Sequence, residues 1–227
     1  MTIMNNPSFA LWRRPSAAIL SLMLVSGCAA LRPTATPHPA FYTLDNAWIA
    51  AQAETKSGLQ APVPLSDATQ TLIINPPHAA AGFDSQRIIY VREFHKLEYF
   101  AHSEWVDPPA RMLAPLLVAA VENTGAFRAV VLTPSAAAGD LRLDTEIIRL
   151  QHEFGAQPSR VRFTLRAHLV DVKTRRVLAW REFDAAVPAA SEDTYGGVVA
   201  ANRAVQALLE NLATFCAEAA RSARMEK

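Results

Sequence analysis

Two stretches in the second half of the chain alternate apolar and polar side chains with a period of two, the pattern of strands buried on one face. Leu141, Leu143, Thr145 and Ile147 share one side, with Arg142, Asp144 and Glu146 on the other. Val161, Phe163, Leu165, Ala167 and Leu169 repeat the pattern opposite Arg160, Arg162, Thr164, Arg166 and His168. A turn at Asp171 to Arg175 joins this run to Val177 through Phe183, which predicts a hairpin. Earlier, β-branched and aromatic residues predict strands at Thr71 to Asn75, stopped by Pro76 and Pro77, and at Arg87 to Arg92. Further strands are expected at Leu97 to His102 and Phe127 to Leu132, with a short edge strand at Phe41 to Leu44.

Helical spacing takes over twice. Met112, Leu113, Leu116, Leu117, Ala120 and Val121 recur at steps of three and four, behind Asp107 as N-cap with Pro108 in the first turn and ahead of Gly125 as a stop. Pro115 falls inside this helix and predicts a kink. From Thr194 to Arg221 a second stripe comprises Tyr195, Val198, Ala201, Val205, Leu208, Leu212, Phe215 and Ala219, which should cover the sheet. Gly196 and Gly197 weaken its first turn by about 1 kcal/mol each relative to alanine, unless close packing there excludes a side chain. Arg221, Arg224 and Lys227 suit its negative C-terminal end. The predicted class is α+β: an antiparallel β-sheet packed against two main helices in a single domain over residues 41–227. The 227 residues, 51% of them hydrophobic, suffice for one core. No internal repeat is present.

The N-terminus follows a different pattern. Arg13 and Arg14 precede an apolar run, Ala17 to Val25, and then Ser26, Gly27 and Cys28. That run is too short to span a bilayer, which takes about 20 apolar residues, so it reads as a cleavable export signal over 1–27. Val25-Ser26-Gly27-Cys28 resembles the lipobox of bacterial lipoproteins, in which the thiol is lipidated and the chain is cut just before it. Cys28 is thus the expected lipid-attachment residue, and two or three acyl chains at about 0.8 kcal/mol per buried methylene would anchor it firmly. An ordinary signal with a coincidental cysteine, or a buried strand, is the blander alternative. In Gram-negative lipoproteins Asp after the cysteine commonly retains the protein at the inner membrane, so Ala29 favours the outer one. Residues 28–40, with Pro33, Pro37 and Pro39, read as a solvated tether reaching roughly 35 to 40 Å at about 3.1 Å per residue. Residues 52 to 68, with Gly58, Pro62 and Pro64, read as an exposed loop.

Charge and cysteine content narrow the function classes. Loss of Arg13 and Arg14 with the signal takes the formal charge from +1 to −1, which gives no footing for nucleic acid. The second of two cysteines, Cys216, lies in the last helical stripe and reads as a small buried apolar residue. No serine elbow, zinc-protease helix, Cys-x-x-Cys pair or phosphate-binding glycine loop is found, so no catalytic residue, cofactor or metal site is assigned. The nearest metal-like groupings are His152 with Glu153, and His95, Glu98 and His102. His95 and His102 fall on opposite faces of a strand, and exposed or hydrogen-bonded histidines explain both groupings. Arg160, Arg162 and Arg166, facing Arg142, Asp144 and Glu146, suit cross-strand ion pairing, or contact with anionic headgroups or an acidic partner. Tyr90, Tyr99, Phe100 and Trp105 suit a core, or alternatively a lipid groove or docking surface.

In order, these features resemble the ABC-type transport auxiliary lipoprotein family, over roughly Phe41 to Phe215. The resemblance rests on Phe41-Tyr42-x-Leu44 after the cysteine, Asp84 with Arg87-Ile88-x-Tyr90, Tyr99 and Trp105 ahead of the Pro109 helix, and Tyr195-Gly196-Gly197. Pro115 and the 52 to 68 loop depart from what the family leads one to expect. The resemblance implies a non-catalytic periplasmic lipoprotein, lipid-anchored at the outer membrane. Its partner would be an MCE-domain protein of an ABC transporter, its cargo phospholipid or another hydrophobic compound, and its energy source a separate ATPase subunit. A structural envelope lipoprotein, serving outer-membrane protein assembly or cell-wall attachment, is the alternative; a secreted hydrolase is a weaker one.

Overall fold

The computed structural model describes residues 38–45 and 68–225. The expected signal, Cys28, the tether up to residue 37 and the expected loop up to residue 67 lie outside the described residues. The strands are β1 (Ala40–Tyr42), β2 (Thr71–Ile74), β3 (His78–Ala79), β4 (Arg87–Val91), β5 (Glu98–Trp105), β6 (Ala129–Leu132), β7 (Leu141–Glu153), β8 (Arg160–Asp171) and β9 (Val177–Pro188). Two helices, α1 (Pro109–Glu122) and α2 (Thr194–Met225), pack against the sheet and each other. The α+β class with two helices therefore holds.

The sheet is mixed, where the alternation led us to expect antiparallel pairing throughout. Among the described residues only β7–β8, β8–β9 and β4–β5 are antiparallel. On its other edge β7 pairs in succession with β2, β3 and β4, all parallel to it, and β6 joins β2 while β1 joins β5, again parallel. Local alternation reports burial but not direction. Direction is set by connections, and here long ones separate the parallel partners. Pro76, Pro77 and Gly82 cut what would be one neighbour of β7 into three short strands, of which the two-residue β3 carries no pattern to read.

Strand β7 runs beyond the Ile147 at which its alternation seemed to end. Between Ile147 and Arg149 the register against β8 shifts, leaving Ile148 as an extra residue. This bulge resets the pleat, so Leu150 and His152 stay buried while Arg149, Gln151 and Glu153 lie on the opposite, outer face. The inner face of β8 is as expected, with Val161, Phe163, Leu165, Ala167 and Leu169 buried beneath α2. On α2, Val198, Ala201, Val205, Leu208, Leu212 and Phe215 meet it, and Phe215 stands edge-on to Phe183 of β9 at 5.7 Å. Tyr195, expected on that stripe, is instead exposed. Cys216 is fully buried there, and desolvation pushes its thiol up to about 12.

Helix α1 begins one residue later than expected. Pro108 is its N-cap and makes no side-chain capping bond. Asp107, expected as the cap, pairs instead with Arg111 at 3.2 Å. The helix continues through Pro115, which lies on its exposed side, so the Arg111 carbonyl deprived of its helical donor is near solvent. Asn202 of α2 accepts from the Asp45 backbone at 3.0 Å and donates to the Thr43 carbonyl at 3.1 Å, which fixes the segment after β1 against the helix. Among the described residues no helix is long and apolar enough to cross a membrane.

Candidate functional site

Two polar constellations lie at the same end of β7, on opposite faces of the sheet. The inner one is built on His152, which is 2% exposed beneath the start of α2. Its Nε2 lies 2.8 Å from Ser159 Oγ, and the Ser159 backbone N–H donates to Glu192 Oε1 at 2.8 Å. That backbone bond first, and the Ser159 side chain second, hold the Glu192 carboxyl below its usual range. The other ring nitrogen, Nδ1, has no hydrogen-bond partner among the described residues. A Cβ on Gly197 would stand 2.5 Å from it, so glycine is required where α2 crosses the ring. Burial lowers the His152 pKa, and the nearby Glu192 and Asp193 charges only partly oppose this.

A serine, a histidine and an acid within bonding reach suggest nucleophilic catalysis, but the geometry is wrong for it. Ser159 is 0% exposed, so no substrate carbonyl can reach its oxygen. The acid contacts the serine rather than Nδ1, where it would orient the ring as in a catalytic triad. The group is a structural clasp between the β7–β8 turn, the loop before α2 and the helix itself. Asp193 completes it, accepting from the Gly196 N–H at 2.7 Å as the helix cap and from Ser191 Oγ at 2.8 Å. A Cβ on Gly196 would collide with the Ser191 carbonyl.

The outer face carries the charged stripe. Arg166 binds Glu146 at 3.4 Å and Glu182 at 3.0 Å, bridging β7, β8 and β9. Arg162 binds Glu153 at 3.2 Å and Asp184 at 3.0 Å, and Arg160 shares Glu153 at 3.0 Å. Asp144 pairs with Arg142 at 3.0 Å and accepts from Asn75 at 2.6 Å. Cross-strand ion pairing thus accounts for Arg160, Arg162 and Arg166, although Glu153, Glu182 and Asp184 as partners were not anticipated. Their carboxylates sit on neighbouring strands at registers that only the bulge and the hairpin define. Burial alone would raise the Glu153 pKa, but hydrogen bonds from Gln151 and Arg160 and the charges of Arg162 and Arg160 bring it below the usual value.

Where this face meets the turn between β4 and β5 it forms a groove of about 450 Å³, within the roughly 300–1,000 Å³ range of small-molecule sites. Arg149, Gln151, Glu153, Arg160 and Arg162 form its sheet side; Arg92, Phe94, His95, Lys96 and Leu97 form the turn side. Phe94 is 93% exposed and Leu97 49%. Arg92 lies over the rings of Tyr90 and Phe154, at 5.0 and 5.5 Å. Beneath it Tyr90 packs on Phe100 at 4.7 Å and meets Phe154 edge-on at 5.8 Å.

The aromatic set named from the sequence therefore divides. Trp105 is core, Tyr90 and Phe100 are partly buried, and Tyr99 is exposed beneath the Arg87 guanidinium, 4.2 Å from its ring centre. The metal-like groupings also come apart. His152 and Glu153 point to opposite faces of β7; His95 stands at φ +67° in the turn, Glu98 pairs with Lys96 at 3.5 Å, and His102 is exposed on β5. Among the described residues no three His, Cys, Asp or Glu side chains are grouped to hold a metal ion. Arg149 and Phe94 were missed from the sequence, since neither lies in a periodic run and the groove joins segments distant in the chain.

A mixed sheet backed on one face by two helices also defines the class to which solved structures assign this domain. Protein XCC0632 from Xanthomonas campestris superposes with a TM-score of 0.65 at 24% identity, covering 72% of this chain and 94% of its own. A second, an uncharacterized protein, gives a TM-score of 0.59 at 11% identity and covers 79% of this chain and 99% of its own. At such identities the likeness establishes the fold. A search of curated proteins finds no match. Residues 49–213 match the model of the ABC-type transport auxiliary lipoprotein component, and the chain belongs to that family. It is thus an auxiliary lipoprotein of ABC-type transport, a non-catalytic kind of component.

Proposed function

We propose that this lipoprotein is the outer-membrane-anchored member of an MCE-type system that moves phospholipid or another hydrophobic compound between membranes. The family match over residues 49–213 carries the reading, and the pattern from Arg13 to Cys28 supports it. Cys28, lipidated after removal of residues 1–27, holds the chain to the inner leaflet, and residues 28–40 let the domain stand off from it. Ala29 in place of Asp favours the outer membrane. The domain binds and does not catalyse: the sealed Ser159 gives no nucleophile, and hydrolysis of ATP belongs to a separate subunit. Its partner is an MCE-domain protein reaching from the inner membrane.

The test is crosslinking and pull-down from envelopes with a C-terminally tagged chain, beside a Cys28→Ala control, with proteins and lipids identified by mass spectrometry. The expected result is an MCE protein in the wild-type sample and loss of outer-membrane fractionation in the control. Recovery of only outer-membrane assembly factors or cell-wall material would overturn the transport reading in favour of a structural envelope role.

A further inference from the structure

The outer groove gathers five cationic side chains, Arg92, Lys96, Arg149, Arg160 and Arg162. Arg160 and Arg162 share Glu153 on its sheet wall, and Arg162 also reaches Asp184 at 3.0 Å. Arg149, half-buried at the β7 bulge, has no hydrogen-bond or ion-pair partner among the described residues. A guanidinium drawn partly out of water ordinarily finds a carboxylate, because its planar fork forms paired bonds to an oxyanion. On the turn side Lys96 is paired with Glu93 at 3.9 Å and Glu98 at 3.5 Å, and the Arg92 guanidinium is held over the Tyr90 and Phe154 rings, so the charge left open to a ligand is that of Arg149 on the sheet wall. The rim is different in character, with Phe94 and Leu97 presenting bare apolar surface to solvent.

A cationic floor beneath an apolar rim matches an amphiphile whose charged end is anionic. We propose that the juxtaposition of unpaired Arg149 with Arg160 and Arg162 beneath exposed Phe94 and Leu97 forms a binding site for the phosphate headgroup of an anionic phospholipid. Arg149 grips the phosphate, and the first methylenes of the acyl chains lie on Phe94 and Leu97. Glu153 tempers the site by holding Arg160 and Arg162 in place. This deepens the proposed function by naming a lipid class and rests on that reading for its setting. Its test uses no partner protein, so failure here leaves the partner capture above to be judged by itself.

The full lipidated chain, purified in a neutral maltoside detergent, is titrated calorimetrically with water-soluble dihexanoyl phosphatidylglycerol, dihexanoyl phosphatidylcholine, inorganic phosphate and an oligoglutamate peptide. Phosphatidylglycerol is expected to bind more tightly than the other three, and less tightly as salt rises. Arg149→Gln should weaken it at least about tenfold, in keeping with loss of a charged hydrogen bond, while Arg142→Gln, on the same face but outside the groove, should leave it unchanged. Phe94→Ser, at a solvent-exposed position that does not endanger folding, should weaken phosphatidylglycerol and leave weak phosphate binding as it was. Glu153→Gln should tighten binding. Equal binding of phosphatidylcholine, phosphate as tight as the lipid, preference for the acidic peptide, or indifference to both Arg149→Gln and Phe94→Ser would each overturn the proposal.

Discussion

Gly197 lets the first turn of α2 pass within contact distance of the His152 ring, and the glycine is there in spite of helix propensity. Alanine would gain about 1 kcal/mol in an open helix, but its methyl would sit 2.5 Å from Nδ1, and overpacking of this kind costs about 1–3 kcal/mol. The second effect is the larger, so Gly197→Ala should lower stability in urea denaturation. His152 itself predicts a pH dependence. Its pKa is lowered in the folded protein, so below about 6.5 the unfolded chain takes up a proton that the folded one resists. Stability should therefore fall as pH drops from about 6.5 toward the lowered folded value, and His152→Gln should flatten that part of the profile in denaturant melts at stepped pH. At this scale the sequence flagged the glycine pair correctly, as an exception that close packing alone could justify. It could not supply the reason, because Ser159, Glu192 and His152 meet only through a turn and a loop that carry no periodic pattern.

Among the elements, α1 contains a residue that helices avoid. Pro115 removes one helical hydrogen bond, yet it lies on the exposed side, where the orphaned carbonyl has water available. Pro115→Ala should restore the bond and stabilise the protein by about 1–3 kcal/mol, less than or near the full proline penalty, read as a higher midpoint of thermal unfolding. The long amphipathic runs, β8 and α2 above all, were legible because one face of each is continuously buried. Strand β7 was legible only as far as its bulge: the adjacent Ile147 and Ile148 break the alternation that a sequence reading follows. Strand direction was legible where a short turn makes a hairpin, as between β8 and β9, but not for the parallel partners of β7, since parallel and antiparallel neighbours impose the same alternation on a half-buried strand. The outer groove escaped notice for a related reason. Its two walls are the tail of β7 and a turn whose register to it is set by only Tyr90–His152 and Val91–Glu153.

Taken whole, the domain uses the two sides of its sheet for different ends. One side is joined to both helices by a single core that includes Trp105 and Phe163, while Trp180 stands 63% exposed on the other. One core implies one cooperative transition. Trp fluorescence and far-ultraviolet circular dichroism should then give coincident urea curves, and separated curves would mean that α2 or the charged hairpin unfolds by itself.

The shared strand β7 also bears on time. A chain made from its N-terminus exposes Leu72, Ile74 and Ile88 well before the strand that must lie beside them exists; Asn75 and its partner Asp144 are 69 positions apart. At about 5–20 residues per second, that interval of synthesis lasts on the order of 3–14 s. The first half of the domain thus has no finished sheet to enter while it waits. Until residues 141–153 arrive and the sheet closes around them, those apolar side chains stay uncovered, and an exposed apolar chain of this kind is prone to association.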